Sequence, residues 1–384
     1  MTSIRVLLVV AAVAAASSGA AAERLVWFGC GSGTAASPAG IHVARFDPET
    51  GAVSEPELAI AVGGASFLAV HPQLPMLYAV AEQGGADGAP AGAIRAFRID
   101  PATGRLAAVN HRPSGGAGPC HVSVDPSGEV VLAANYSGGN VICLGVAADG
   151  GLEPATADGV LGHTRADDPA AKPLAHSIDA CPDGRFAIAC DKGLDRVFIH
   201  ELDVPRATLR EHAATTIAAG SGPRHSAMHP GGRFAYVVNE RGMTVTALAY
   251  DPRAGTLTPL QTLSTLPDGV QGKGLSTAEI AVHPSGRFLY ASNRGHDSIA
   301  VFAVDEATGR LTFRGAEPIR GKTPRHFAIA PGGRFLLAAG QNSSTVTVFA
   351  IDPSTGALEF TGRTVAVPAP ACITFAPDTT AAAR

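Results

Sequence analysis

Seven copies of one short phrase constrain this chain more than any other feature. Each copy is a run of alternating apolar residues closed by a proline, at Pro72, Pro126, Pro182, Pro230, Pro284, Pro331 and Pro377. The intervals are 54, 56, 48, 54, 47 and 46 residues. A second mark lies between them: a turn signature such as FDPETG, whose aspartates are Asp47, Asp100, Asp149, Asp203, Asp251, Asp305 and Asp352. Two marks that interleave seven times imply seven equivalent units.

Each unit holds four strand-like runs. In the sixth they are TAEIAVHP, FLYASNRG, SIAVFAVD and LTFRGAEPI, separated by Pro-Ser-Gly-Arg and Asp-x-x-Thr-Gly turns. Short runs rich in Val, Ile and Phe, parted by turn residues, read as antiparallel strands. Four of them per repeat of about 50 residues predict a blade, and the whole an all-β, seven-bladed β-propeller. No amphipathic helix of useful length stands between the runs, which excludes a barrel of alternating strands and helices. The 45 glycines and 28 prolines are scattered, as many tight turns require. RLVWFGCGS at the start matches a second strand and PACITFAPD at the end a first strand. The C-terminal strand is therefore expected to complete the N-terminal blade, leaving no open edge.

The first 22 residues read differently. One arginine, an apolar stretch from Val6 to about Ala16 and then Ala20-Ala21-Ala22 form a cleavable export signal. The apolar stretch falls short of the roughly 20 residues a membrane span needs. The expectation is an exported protein, periplasmic or extracellular, without membrane insertion after cleavage, whose residues 23–384 form one propeller. A formal charge of −4 and the absence of Lys/Arg runs argue against a nucleic-acid partner.

Counting from the reference proline aligns the blades in columns. Six residues before it stand Ser66, Cys120, His176, Arg224, Ala278, Arg325 and Ala371; the next position holds Phe67, His121, Ser177, His225, Glu279, His326 and Cys372. Nine residues after it come Asn135, Asp191, Asn239 and Asn293, then Glu82, Tyr136, Lys192, Glu240, Arg294 and Gln341. The start of the inner strand and the end of the next one meet on one face of the ring beside the channel. Ionisable residues collect there where strands would otherwise place apolar ones, which marks the mouth as the candidate binding site. Scaffold roles account for other polar residues. His71, His229 and His283 read as turn residues on the opposite face, Arg185, Arg233, Arg287 and Arg334 as surface turn residues. Asn135, Asn239 and Asn293 fit a turn cap and a ligand contact equally. The Asp-x-x-Thr-Gly turns lack the ligand density of a calcium loop.

At these columns the sequence resembles the lactonase family of seven-bladed propellers, which includes bacterial 6-phosphogluconolactonases and fungal carboxy-muconate lactonising enzymes. GPCHVSVDPSGEVVLAANYSGGNV, LAHSIDACPDGRF, GSGPRHSAMHPGGRFAYVVNE, STAEIAVHPSGRFLYASNRGHDSIAVF and GKTPRHFAIAPGGRFLL carry the likeness. It implies a catalytic set of His176, Arg224, Glu240 and Arg294, with His121, His225, Glu279, Asn293, Arg325 and His326 as substrate-binding residues. Leu174 and Gly340 depart from the family's usual His and Asn. The implied activity is hydrolysis of a sugar lactone. A histidine can activate water near neutral pH, and arginines can hold an anionic group and stabilise the oxyanion. His176 is the expected base, with Glu240 as its support or its substitute. No nucleophile elbow, zinc motif or phosphate loop is visible, so no metal or cofactor is expected. A cycloisomerase acting on a muconate-like diacid and a non-catalytic binding propeller are the alternatives, while an export signal sits poorly with a phosphorylated cytoplasmic substrate.

Six cysteines are present, and in an exported chain an even number permits disulfides. Column register places Cys30 opposite Cys372 in the closing strands, which offers a disulfide clamp between the termini; two small buried apolar residues are the competing reading.

Overall fold

The computed structural model describes residues 23–31, 39–82 and 92–377; the export signal expected over residues 1–22 lies outside them. The strands form seven four-stranded sheets, so the sevenfold reading of the repeat holds. Blade 1 is built from Pro370–Phe375, Arg24–Cys30, Gly40–Phe46 and Glu57–Ile60 in spatial order. Its first two strands pair antiparallel, Val26 opposite Phe375 and Trp27 opposite Thr374. The end of the chain thus closes the ring on its beginning, as the two half-blades predict. No helix among the described residues is long and apolar enough to cross a membrane.

The second strand of each blade is apolar over most of its length, with polar residues confined to its ends or to single positions, because both of its faces are covered. Phe234–Asn239 in blade 5 shows how. Tyr236 and Val238 pack with Ile280, Leu289 and Phe302 of blade 6. Ala235 and Val237, on the other face, pack with Ile188, Cys190 and Val197 of blade 4. Burying each of the larger aliphatic and aromatic side chains stabilises the ring by about 2 kcal/mol.

Side-chain latches join neighbouring blades on the face opposite the mouth. In His71, His229 and His283, Nδ1 accepts backbone N–H groups of its own turn, so the proton sits on Nε2. Each Nε2–H donates to a glycine carbonyl of the following blade: Gly128 at 2.9 Å, Gly286 at 3.0 Å and Gly333 at 2.8 Å. Gly286 has φ +76°, and a Cβ there would lie 2.7 Å from the His229 ring, so the turn requires glycine. The turn aspartates cap their own loops. Asp251 accepts from the N–H groups of Arg253 and Ala254, a local turn and not a calcium loop. Arg185, Arg233, Arg287 and Arg334 each lie over the following phenylalanine ring, 5.1–5.8 Å from its centroid.

The expected Cys30–Cys372 clamp is not formed, and all six cysteines are free. Cys372 pairs with Gly29, while Cys30 lies opposite Pro370 across a register shift. One residue of offset puts the two thiols on opposite faces of the sheet. Cys30 packs with Phe28 and Ile373, Cys372 with Trp27 and Leu68. Both are small buried apolar residues.

Candidate functional site

Strict alternation would send residues six and five before the reference proline to opposite faces of the inner strand. The structure breaks it at the mouth. In blade 5, Pro223 pairs with Asn239 and His225 with Val238, so Arg224 has no cross-strand partner. The same extra residue occurs at Cys120, His176 and Arg325. In blade 6, Ala278 and Glu279 together face the single residue Ser292. A bulge of this kind re-aims side chains, so both columns contribute to the channel, in two tiers.

The neighbouring strand is pinned to the same level. The residue just past its end donates its backbone N–H to the carbonyl two residues before each bulged residue or its equivalent: Glu82 to Gly64, Tyr136 to Gly118, Lys192 to Leu174, Glu240 to Gly222 and Gln341 to Thr323. The repeated bond lifts Glu82, Tyr136, Lys192 and Glu240 to the rim.

The upper tier is a recess of about 270 Å³, lined among others by His176, Lys192, Glu240, Arg294, Arg325 and Cys120. Glu240 is its hub. Its carboxylate lies 2.5 Å from Lys192 Nζ, 3.2 Å from Arg224 Nε and 3.2 Å from Arg294 Nη2. Burial opposes the charge on Glu240, but Arg224, Arg294 and Lys192 outweigh it and hold its pKa down at about 2. Arg224 is 2% exposed. Its Nη1 donates to the Ala278 carbonyl at 2.6 Å and toward His225 Nε2 at 3.2 Å. Burial, then Arg325 and Arg294, lowers its pKa to about 10, so it stays charged at neutral pH. Arg325 has no anionic partner within ion-pair distance among the described residues. His176 Nδ1 lies 3.9 Å from Cys120 Sγ, and its ring stands 5.4 Å from that of Tyr136. Its Nε2 has no protein hydrogen bond among the described residues. Burial, then Arg224, His225, Arg325 and Lys192, pushes the His176 pKa well below its ordinary value. The imidazole is therefore neutral and able to accept a proton.

The lower tier plugs the channel beneath. Phe67 lies 4.4 Å from the ring of His121, 5.6 Å from His225 and 5.4 Å from His326. Glu279 lies 3.0 Å from His225 Nδ1 and 3.3 Å from His326 Nε2. His121 faces Asp179 at 3.8 Å. Burial and then Glu279 raise Asp179 to about 7, although its side chain is 40% exposed.

The structure thus brings His176, Arg224, Glu240, Arg294 and Arg325 together at one mouth. It places His121, His225, Glu279 and His326 one layer down. Asn293 belongs to neither tier. Its amide nitrogen donates to the Thr265 carbonyl at 2.9 Å and to Ser298 Oγ at 3.2 Å, which is the turn-cap role. Lys192, absent from the expected site, is part of it. It occupies the same column as Glu240 and Arg294, and that column was the signal. No group of three or more His, Cys, Asp or Glu side chains is arranged to hold a metal ion among the described residues.

Cys120 offers a simple probe of the recess. It alone among the six thiols is more than slightly exposed, and burial pushes its pKa up to about 12. A neutral methanethiosulfonate reagent is expected to label one thiol slowly in the folded protein and all six after unfolding. Mass spectrometry locates the label; rapid labelling at any of the other five thiols contradicts the packing described above.

The comparisons agree with this architecture. The family model "Lactonase, 7-bladed beta-propeller" matches residues 27–375. A 6-phosphogluconolactonase of Bacillus subtilis (strain 168) is 35% identical over 345 residues, covering 90% of this chain and 97% of that protein. A 6-phosphogluconolactonase of Formosa agariphila is 32% identical over 300 residues, covering 75% and 81%. The solved structure of a periplasmic gluconolactonase from Pseudomonas aeruginosa superposes with a TM-score of 0.83 at 33% identity, covering 92% of this chain and 99% of that one. By its fold, its blade count and these matches, the chain belongs to the lactonase family of seven-bladed β-propellers.

Proposed function

We propose that this protein hydrolyses a sugar lactone that carries an anionic group, of the 6-phosphogluconolactone type, without a metal ion. One observation carries the reading: Lys192, Arg224 and Arg294 surround the largely buried carboxylate of Glu240, Arg325 lines the same recess unpaired among the described residues, and Glu82 is the other carboxylate in that lining, so cations outnumber carboxylates four to two. Surplus positive charge in a partly desolvated recess favours an anion. The relatives named above act on lactones by name.

In this reading a water gives its proton to Nε2 of His176 and adds to the lactone carbonyl. The oxyanion that forms is stabilised by Arg224 and Arg294. Collapse breaks the ring C–O bond, and the proton on His176 passes to the departing alkoxide, leaving a hydroxy acid. Glu240 is a poor base at a pKa of about 2; it orders the cations that surround it. The fields of Arg224, Arg325 and Lys192 that depress His176 are partly cancelled once an anionic substrate binds. Binding thereby makes His176 a better base.

A panel of δ- and γ-lactones, phosphorylated and plain, tests the proposal, with a muconate-like diacid as the cycloisomerase control. Lactone opening unaffected by EDTA is expected. His176→Asn is expected to lower kcat about 10²–10⁴-fold. The acid limb of kcat is expected at higher pH than that of kcat/KM, because only the substrate complex relieves the cationic field on His176. Identical limbs, or turnover of the diacid alone, would refute the mechanism. We assign the expected export signal a role in delivering this activity outside the cytoplasm; secretion of an N-terminally processed chain by cells expressing the full sequence tests that assignment.

A further inference from the structure

We infer that Glu279 and His225 make no contact with substrate and are positioning residues for Arg224: Glu279 holds the Nδ1–H of His225, which turns the bare Nε2 toward the guanidinium. The inference rests on the lactonase reading for its catalytic consequence, but its structural part stands alone.

The hydrogen bonds close around one proton arrangement. Ile373 N–H donates to His326 Nδ1 at 3.3 Å, so His326 presents Nε2–H to Glu279 Oε2, 3.3 Å away. Ile280 N–H donates to Glu279 Oε1 at 3.0 Å. His225 Nδ1 lies 3.1 Å from Oε1 and 3.0 Å from Oε2. Every neighbour of this carboxylate is thus a donor, as an acceptor at both oxygens requires. On the other side of the ring, Arg224 can only donate, so Nε2 of His225 must accept at 3.2 Å. Burial, then Arg224 and Arg325, holds His225 neutral. One tautomer satisfies both partners; the other sets two donors against each other.

This arrangement decides which part of Arg224 is left for chemistry. Nη1 has two hydrogens, taken up by the Ala278 carbonyl and His225. Nε faces Glu240. Nε is occupied by that ion pair although it makes no hydrogen bond there, and Nη2, with neither an ion pair nor a hydrogen bond to protein among the described residues, is the nitrogen that remains for a substrate oxygen. Glu279 itself is fixed before any ligand arrives: its N–H donates to Ser292 Oγ at 2.9 Å, and the bulge in its strand aims its side chain into the plug. A carboxylate–imidazole–guanidinium chain therefore runs from blade 6 through blade 5 to the rim, and its purpose is the orientation of one planar group.

Histidine-selective ¹⁵N NMR with Glu279→Leu and Glu279→Gln tests it. In the wild type, His225 is expected to carry its proton on Nδ1 between pH 6 and 8. In Glu279→Leu the Nε2–H tautomer is expected to gain population and kcat to fall about 100-fold, the scale of a misplaced catalytic group. Glu279→Gln keeps an oxygen for Nδ1–H and is expected to retain the wild-type tautomer, with a loss of about 10-fold. A wild-type His225 protonated on Nε2, or a folded Glu279→Leu protein with kcat within twofold of wild type, overturns the inference. Should Glu279→Leu fail to fold, the wild-type tautomer and Glu279→Gln decide it. A wild type with no lactonase activity would sink the proposed function, while the NMR measurement would still decide the tautomer.

Discussion

Replacing Arg224 with lysine is expected to lower kcat about 10²–10³-fold, the loss that follows removal of one oxyanion donor, while the propeller still folds. The guanidinium serves three directions at once: Glu240 at Nε, Ala278 and His225 at Nη1, and an Nη2 free of a protein hydrogen bond among the described residues. An ammonium has the charge but no planar fork, so it cannot hold all three. Folding should survive because Glu240 keeps Lys192 and Arg294 and is not left as a buried, unpaired carboxylate. Arg224→Ala is expected to lose at least as much turnover. Steady-state kinetics together with thermal melts of both variants give the answer. A folded Arg224→Lys enzyme with wild-type kcat would remove Arg224 from the chemistry.

Acid is expected to destabilise the protein strongly. His121, His176 and His225 have pKa values pushed well below the ordinary histidine value, chiefly by burial. Burial also lowers His326 to about 4 and His200 to about 3. Above about pH 6.5 these groups are neutral in folded and unfolded chains alike and pH has little leverage. As pH falls through 6.5 the unfolded chain takes up protons that the folded chain refuses, so stability drops. The slope approaches about 1.4 kcal/mol per pH unit for each histidine, and several act together. Asp179, raised by burial and then Glu279 to about 7, binds a proton in the folded state over the same range and offsets at most about 2 kcal/mol, less for the solvent screening of its partly exposed side chain. Between pH 7.5 and 5.5 the melting temperature is therefore expected to fall by roughly 7 °C. His200→Phe should shrink that fall by about one histidine's share, since His200 lies outside the mouth, beside His163 at 3.2 Å in blade 4. A melting temperature that is flat or rises toward pH 5.5 would contradict the burial of these imidazoles.

The blades were legible because their marks are turns and alternation, both local properties of the chain. Ring closure was legible for the same reason, from half a blade at each end. The mouth was legible as columns, since residues at equal distance from the reference proline occupy equal heights. What columns could not supply is which way a side chain points. Alternation alone would have sent Arg224 and His225 to opposite faces; the bulge puts them in contact. Between the closing strands the ladder runs one residue off the column reading, pairing Cys372 with Gly29 and so parting it from Cys30. Lys192 stood in the right column, but its pairing with Glu240 depends on two blades meeting. Asn293 stood in a column of the mouth too, yet the Thr265 carbonyl claims its amide, a partner 28 residues away that no periodicity announces.

The unpaired residue in five of the inner strands has a consequence for how such rings can diverge. Cys120, His176, Arg224, Arg325 and Ala371 are skipped by the ladder between their strands. Their identity is therefore nearly free of the backbone pairing that keeps the blades upright. Exchanging one of them rewrites the lining of the mouth and leaves the girders alone. A new specificity could be assembled slot by slot.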